Sequence, residues 1–159
     1  MNRNYMLKLI ISASAALLIA GCASMGGGNS GAEILASGNH SNIKNQTYQD
    51  IHNQADFDAM WKKAFTNQSG APDKPTVDFS KDMVLAVFIG DQPTGGFRIR
   101  FSKIDSSGAT IEAAVVVTQP GQNCRHPQSS SDAFLIATIP ASTKSVNFNP
   151  QSERAPSCG

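Results

Sequence analysis

The sequence predicts an α+β fold: an antiparallel sheet or sandwich of about five to seven strands with one amphipathic helix packed on it. Three observations carry this. Phe57, Met60, Trp61, Ala64 and Phe65 recur at i, i+3, i+4, i+7 and i+8, a single apolar stripe along a helix. Residues 84–89 form an unbroken, β-branched apolar run ended by Gly90, the pattern of a strand covered on both faces. Phe97, Ile99 and Phe101 then alternate with Arg98 and Arg100, giving a strand with one wet face. An all-β sandwich with the helix as an excursion is the alternative that the layer rules leave open.

The chain of 159 residues fits one domain preceded by an export segment. Arg3 and Lys8 lead into an apolar core over residues 9–20, the length of a signal-peptide core and short for a membrane span. That core ends in Ile19-Ala20-Gly21-Cys22, which resembles the lipobox of bacterial lipoproteins. The resemblance implies cleavage before Cys22 and acylation there, with several acyl chains giving stable membrane anchorage. Residues 1–21 are therefore expected to be a lipoprotein signal peptide and 22–31 a lipidated tether of Ser, Gly, Asn and Met. About nine flexible residues reach roughly 15–18 Å. Residues 32–159 make the folded domain. The expected location is the cell envelope, lipid-anchored; in a Gram-negative cell, Ala23 after the cysteine resembles an outer-membrane sorting signal, facing the periplasm or the cell surface.

Residues 34–43 and 46–51 carry sparse apolar positions and read as two edge strands joined through 42–45. The helix covers 53–66, with Asn53 as N-cap, Asp56 and Asp58 near its positive end and Lys62 and Lys63 near its negative end. Trp61 reads as core, because its stripe neighbours are apolar. Gly70, Pro72 and Pro75 end the helical possibility. Residues 83–101 read as a hairpin whose link, 90–96, offers seven residues where two to five suffice. A turn over 105–108 pairs residue 105 with 109, and so Phe97 with Val117, Ile99 with Val115 and Phe101 with Ala113, all apolar on one face. Residues 119–131 form a second long polar loop. Residues 134–139 and 146–148 are the last strands, and consecutive strands are expected to pair antiparallel.

Composition excludes several functions. Removing Arg3 and Lys8 with the leader leaves 11 basic against 12 acidic residues, without a basic run to track phosphates, so no nucleic-acid partner is expected. Cys124 and Cys158 remain beyond Cys22, and an even pair in an oxidising compartment reads as a disulfide. His40, His52 and His126 are scattered, and Asp78, Asp82 and Asp91 lack a calcium-loop spacing. Ser129, Ser130, Ser131 and Asp132 lack a nucleophile elbow. No catalytic residue, metal ligand or cofactor is therefore assigned, and the chain is read as not an enzyme. Arg98, Arg100 and Lys103 read as a solvated face, with binding of an acidic group as the alternative. Gln92, Pro93, Thr94, Gly95, Gly96 and Phe97 are the candidate partner-binding loop: Pro93 fixes φ, the glycines permit positive φ, and the backbone is expected to be accessible.

The Phe57 and Trp61 helix, Pro75-Thr-Val-Asp-Phe-Ser80, the strand from Met83 to Gly90 and Gln92-Pro-Thr-Gly-Gly-Phe97 together resemble the PrcB C-terminal family of bacterial protease-complex subunits. The likeness runs from about Phe57 to Ile139; the family commonly has tyrosine where this chain has Phe97. It implies a non-catalytic exported accessory protein that stabilises a protease. The same turn is similar to the first inhibitory loop of chagasin-like cysteine-protease inhibitors, whose other two loops have no match here. The expected function is a lipid-anchored protein-binding module with an exported protease as partner. The alternatives are a protease inhibitor and a structural envelope lipoprotein.

Overall fold

The computed structural model describes residues 30–122, 125 and 129–156. The leader, most of the tether, Cys22, Cys124, His126 and Cys158 lie outside the described residues. The element order is β1 (Glu33–Gly38), β2 (Thr47–Ile51), α1 (Gln54–Phe65), β3 (Asp82–Phe88), β4 (Arg98–Asp105), β5 (Ile111–Gln119), β6 (Phe134–Pro140) and β7 (Val146–Arg154). Four strands form an antiparallel sheet in the order β1-β6-β3-β2; three form a second sheet in the order β4-β5-β7. The fold is thus the α+β sandwich, with one helix among the described residues.

Alternation along the central strand explains the layers. Val84, Ala86 and Phe88 of β3 face α1, where Phe57, Met60, Trp61, Ala64 and Phe65 are buried. Met83, Leu85 and Val87 face the second sheet and meet Phe101, Ile111, Ala113, Val115 and Val117. The run is unbroken because both faces of β3 are covered, as its sequence required. Helix α1 starts where Asn53 accepts a hydrogen bond from the Asp56 amide at 2.9 Å. It stops at Thr66, whose amide donates to the Lys62 carbonyl, before Asn67 turns into the left-handed region at φ 59°. The prolines expected to end it lie further on. The two segments read as edge strands do become the edges of one sheet, β1 and β2.

Three expectations are corrected. Residues 83–101 are not a hairpin: β3 is already paired on both sides, by β2 and β6, so the chain leaves it for the other sheet. Crossing sheets stacked roughly 10 Å apart takes more chain than a hairpin turn, which accounts for the long link. The β4–β5 register is displaced by two, with Ile99 opposite Val117 and Phe101 opposite Val115, while Phe97 precedes the strand. Residues 106–110 make a longer turn than expected, held where the Asp105 carboxylate accepts from the Ser107 amide at 3.1 Å and its hydroxyl at 2.6 Å. A bulge then places one extra residue in β4 between Phe101 and Lys103, bringing Asp105 opposite Glu112. The displacement at Ile99 and Phe101 is even, so both keep their apolar partners. Finally, pairing is not antiparallel throughout, since β5 and β7 run parallel. β7 also continues past Phe148 through Pro150, which an edge strand tolerates because a missing N–H there interrupts no ladder on the outer side.

Candidate functional site

Register fixes which loops share an end of the molecule. Gly38 lies opposite Phe134, Thr47 opposite Phe88, and Arg98 opposite Thr118. Segments 39–46 and 89–97, with residues 120–122 and 129–133, therefore meet at one end. Glu33, opposite Thr138, starts β1 toward the other end, so the chain preceding the domain enters roughly 20 Å of strand away from the candidate loop.

The loop is braced at its root. Gly90 has φ 74°, and the Asp91 amide donates to the Lys44 carbonyl at 3.0 Å. Gln92 and Ser131 exchange two backbone hydrogen bonds, 2.8 and 3.0 Å, an isolated antiparallel bridge. The Gln92 side chain donates back to the Ile89 carbonyl at 3.2 Å. The expected open backbone is corrected here: the Asp91 and Gln92 amides are turned inward, because segments entering buried strands must satisfy their polar groups. Pro93 and Gly96 are exposed, Thr94 is half-buried, and Gly95 is buried. Gly96 takes positive φ, 92°, whereas Gly95 does not. Phe97 is half-buried and packs on the core between the sheets.

Sequence reading missed the charged brace. Lys44 Nζ lies 2.8 Å from Asp132 Oδ2 and 3.2 Å from Asp91 Oδ1, tying three segments together. The Asp132 side chain is only 7% exposed, and its Oδ1 is buried without a hydrogen-bond partner. Burial, then the neighbouring Asp91, pushes the Asp132 carboxyl above the usual carboxylate range. Hydrogen bonds from Asp132 and Lys44 hold Asp91 below it. The same contacts raise Lys44. The two acids titrate as a pair, with the proton favoured on Asp132. Residues so far apart in the chain left no local signal of this cluster.

Beside the loop, a cleft of ≈ 290 Å³ opens between the two sheets, lined by the ends of β1 and β4 and the start of β6. Phe97, Ile99 and Phe134 supply apolar walls, and Gly38 admits the Phe134 ring: a Cβ there would lie 2.8 Å from it. Arg98 and Arg100 point to the outer face of β4, as expected. Arg100 reaches Glu153 at 3.4 Å, and Lys103 reaches Asp105 at 2.8 Å. Arg98 makes no hydrogen bond or ion pair among the described residues. Among those residues no three His, Cys, Asp or Glu side chains converge on a metal-sized site, and no helix is long and apolar enough to cross a membrane.

The fold and loop cluster define a two-sheet α+β module with a braced crossover loop. Residues 83–131 match the PrcB C-terminal family, and over that segment the family resemblance is shown. The match runs from the first fully buried residue of β3, through the loop and the β4–β5 pair, to Ser131, the bridging partner of Gln92. No curated protein and no solved structure matches the chain.

Proposed function

We propose that the protein is a lipid-anchored, non-catalytic accessory module of the cell envelope that presents residues 92–97 to a protein partner, a component of an exported protease complex. One observation carries this reading: the family-matched loop stands at the end of the sheets away from the start of β1, where the preceding chain enters the domain. A tether from Cys22 would then leave Gln92, Pro93, Thr94, Gly95, Gly96 and Phe97 facing away from the membrane. The brace of Lys44, Asp91 and Asp132 supports the loop root, while Pro93, Thr94 and Gly96 supply the contacting surface. A disulfide between Cys124 and Cys158 would tie the 120–131 loop to the C-terminal end. Such a closure contributes on the order of 3–4 kcal/mol in the chain-entropy account.

The test is a photoreactive residue at Thr94 in intact cells, against the same residue at Thr143 in the turn at the opposite end. Capture of a protease-complex component from position 94 and not from 143 is expected. Equal capture from both positions, or capture from neither, would exclude the loop as the contact.

A further inference from the structure

We propose that the free edge of β4 over Arg98–Phe101 takes an extended segment of a partner protein as an added strand, with an acidic side chain against Arg98 and an adjacent apolar side chain in the cleft beneath. This rests on the reading of the loop end as the partner-facing end, and gives the partner its chemistry.

The site is built from four features. β4 is an edge strand, and its backbone makes no hydrogen bonds on the side away from β5 among the described residues. The usable edge is short, because the bulge between Phe101 and Lys103 breaks the regular ladder and twists the remainder of the strand. Four regular residues remain, at the end nearest the candidate loop. The two faces of that stretch differ: Arg98 and Arg100 are exposed on the outer face, while Ile99 and Phe101 point inward. Of the cations on the outer face, Arg100 and Lys103 already have carboxylate partners and Arg98 has none among the described residues.

An added strand has alternate side chains on opposite faces. On the outer face its residue beside Arg98 would complete a cross-strand ion pair, which selects Asp or Glu. Its neighbour turns inward to the cleft of ≈ 290 Å³ between Phe97, Ile99 and Phe134, which selects an apolar side chain. The occupant is thus an extended, edge-forming segment with an acidic residue next to an apolar one. Charge on an edge strand also serves to repel unwanted pairing; the two roles make different predictions.

The experiment selects a displayed random heptapeptide library on the full-length protein in detergent, as wild type and as Arg98→Glu. Wild type is expected to enrich an acidic residue adjacent to Phe, Leu or Ile, and the variant to replace it with Lys or Arg at the same register. The best recovered peptide is then N-methylated one position at a time. Binding should weaken about tenfold at every second residue and change little between, the mark of main-chain pairing. Absence of enrichment, a consensus unchanged by Arg98→Glu, or N-methyl effects without a period of two would overturn the proposal. Capture from Thr94 in cells alongside a failed selection would sink the edge site alone; failed capture alongside a successful selection would sink the loop contact alone.

Discussion

Gly90 stands against the backbone of Lys44 so closely that a Cβ would lie 2.7 Å from the Lys44 carbonyl oxygen, with Asn45 and Gln46 backbone atoms at 2.9 Å. Its φ of 74° independently disfavours any L side chain. The two requirements coincide at the point where the chain leaves β3, so the loop begins in one fixed direction. Gly90→Ala should destabilise the fold by about 2–4 kcal/mol in urea melts, from the left-handed backbone and the clash together. Gly108→Ala, whose nearest contact would be 3.7 Å, is the control and should change little; equal effects would contradict the close approach.

The Lys44 brace predicts an unusual pH response. Removing the ammonium by Lys44→Met leaves the buried Asp132 carboxyl beside Asp91 with no cation, and drives its pKa further up. A raised carboxyl pKa means the folded state prefers the neutral acid, so stability is lost as pH rises through it. The variant should therefore lose more stability relative to wild type at pH 7 than at pH 4, read from paired urea melts. An equal loss at both values would show that the ion pair carries no such linkage.

Asp78 responds in the opposite sense. The Ser80 hydroxyl, then the Lys81 ammonium and the Ser80 amide, hold its pKa down to about 2. A depressed carboxyl contributes stability above its unfolded value, about 3.9, that is lost as pH falls toward 2. Asp105, held down by Lys103 and Ser107, acts alike. In the double variant Asp78→Asn/Asp105→Asn the fall in stability between pH 4 and pH 2 should be shallower than in wild type, measured by thermal melts. An unchanged slope would place the acid sensitivity elsewhere.

Phe57 is fully buried, with ring centroids 5.6 Å from Trp61 and 5.9 Å from Phe79. Phe57→Ala should cost about 3–5 kcal/mol by opening a cavity between helix and sheet. Because β3 serves both cores, unfolding should remain a single transition by tryptophan fluorescence and by circular dichroism; two separated transitions would mean the layers fold apart.

Thiol labelling of the purified mature chain tests the Cys124 and Cys158 pairing. Neither should react before reduction and both after it. Two reactive thiols without reductant would rule the bond out.

Local periodicity carried most of the fold. The stripe through Phe57 and Trp61 and the run through Val84 needed no distant information, because burial of a helix face or a doubly covered strand is written residue by residue. Strand partnership was not legible in the same way. Nothing within 83–101 says that both sides of β3 are taken by Thr47–Ile51 and Phe134–Pro140, and that fact alone turned a supposed hairpin into a crossover. The loop at 92–97 was visible through its Pro-Thr-Gly-Gly composition. Its brace was not, since Lys44, Asp91 and Asp132 become neighbours only once three separate segments fold together. The β4–β5 displacement came from the longer turn after Asp105, and the bulge between Phe101 and Lys103 made it even, so the apolar alternation gave no sign of it.

Among the described residues, strand β1 pairs only with β6, so residue 33 is held by residue 138. The first part of the domain to be synthesised therefore has no sheet partner until nearly all of the rest exists. Such sequence-distant closure slows folding. It also means that a chain cut short before residue 134 would leave β1 unpaired, together with one full side of β3, so that an incomplete product is distinguishable from a finished one by its exposed edges.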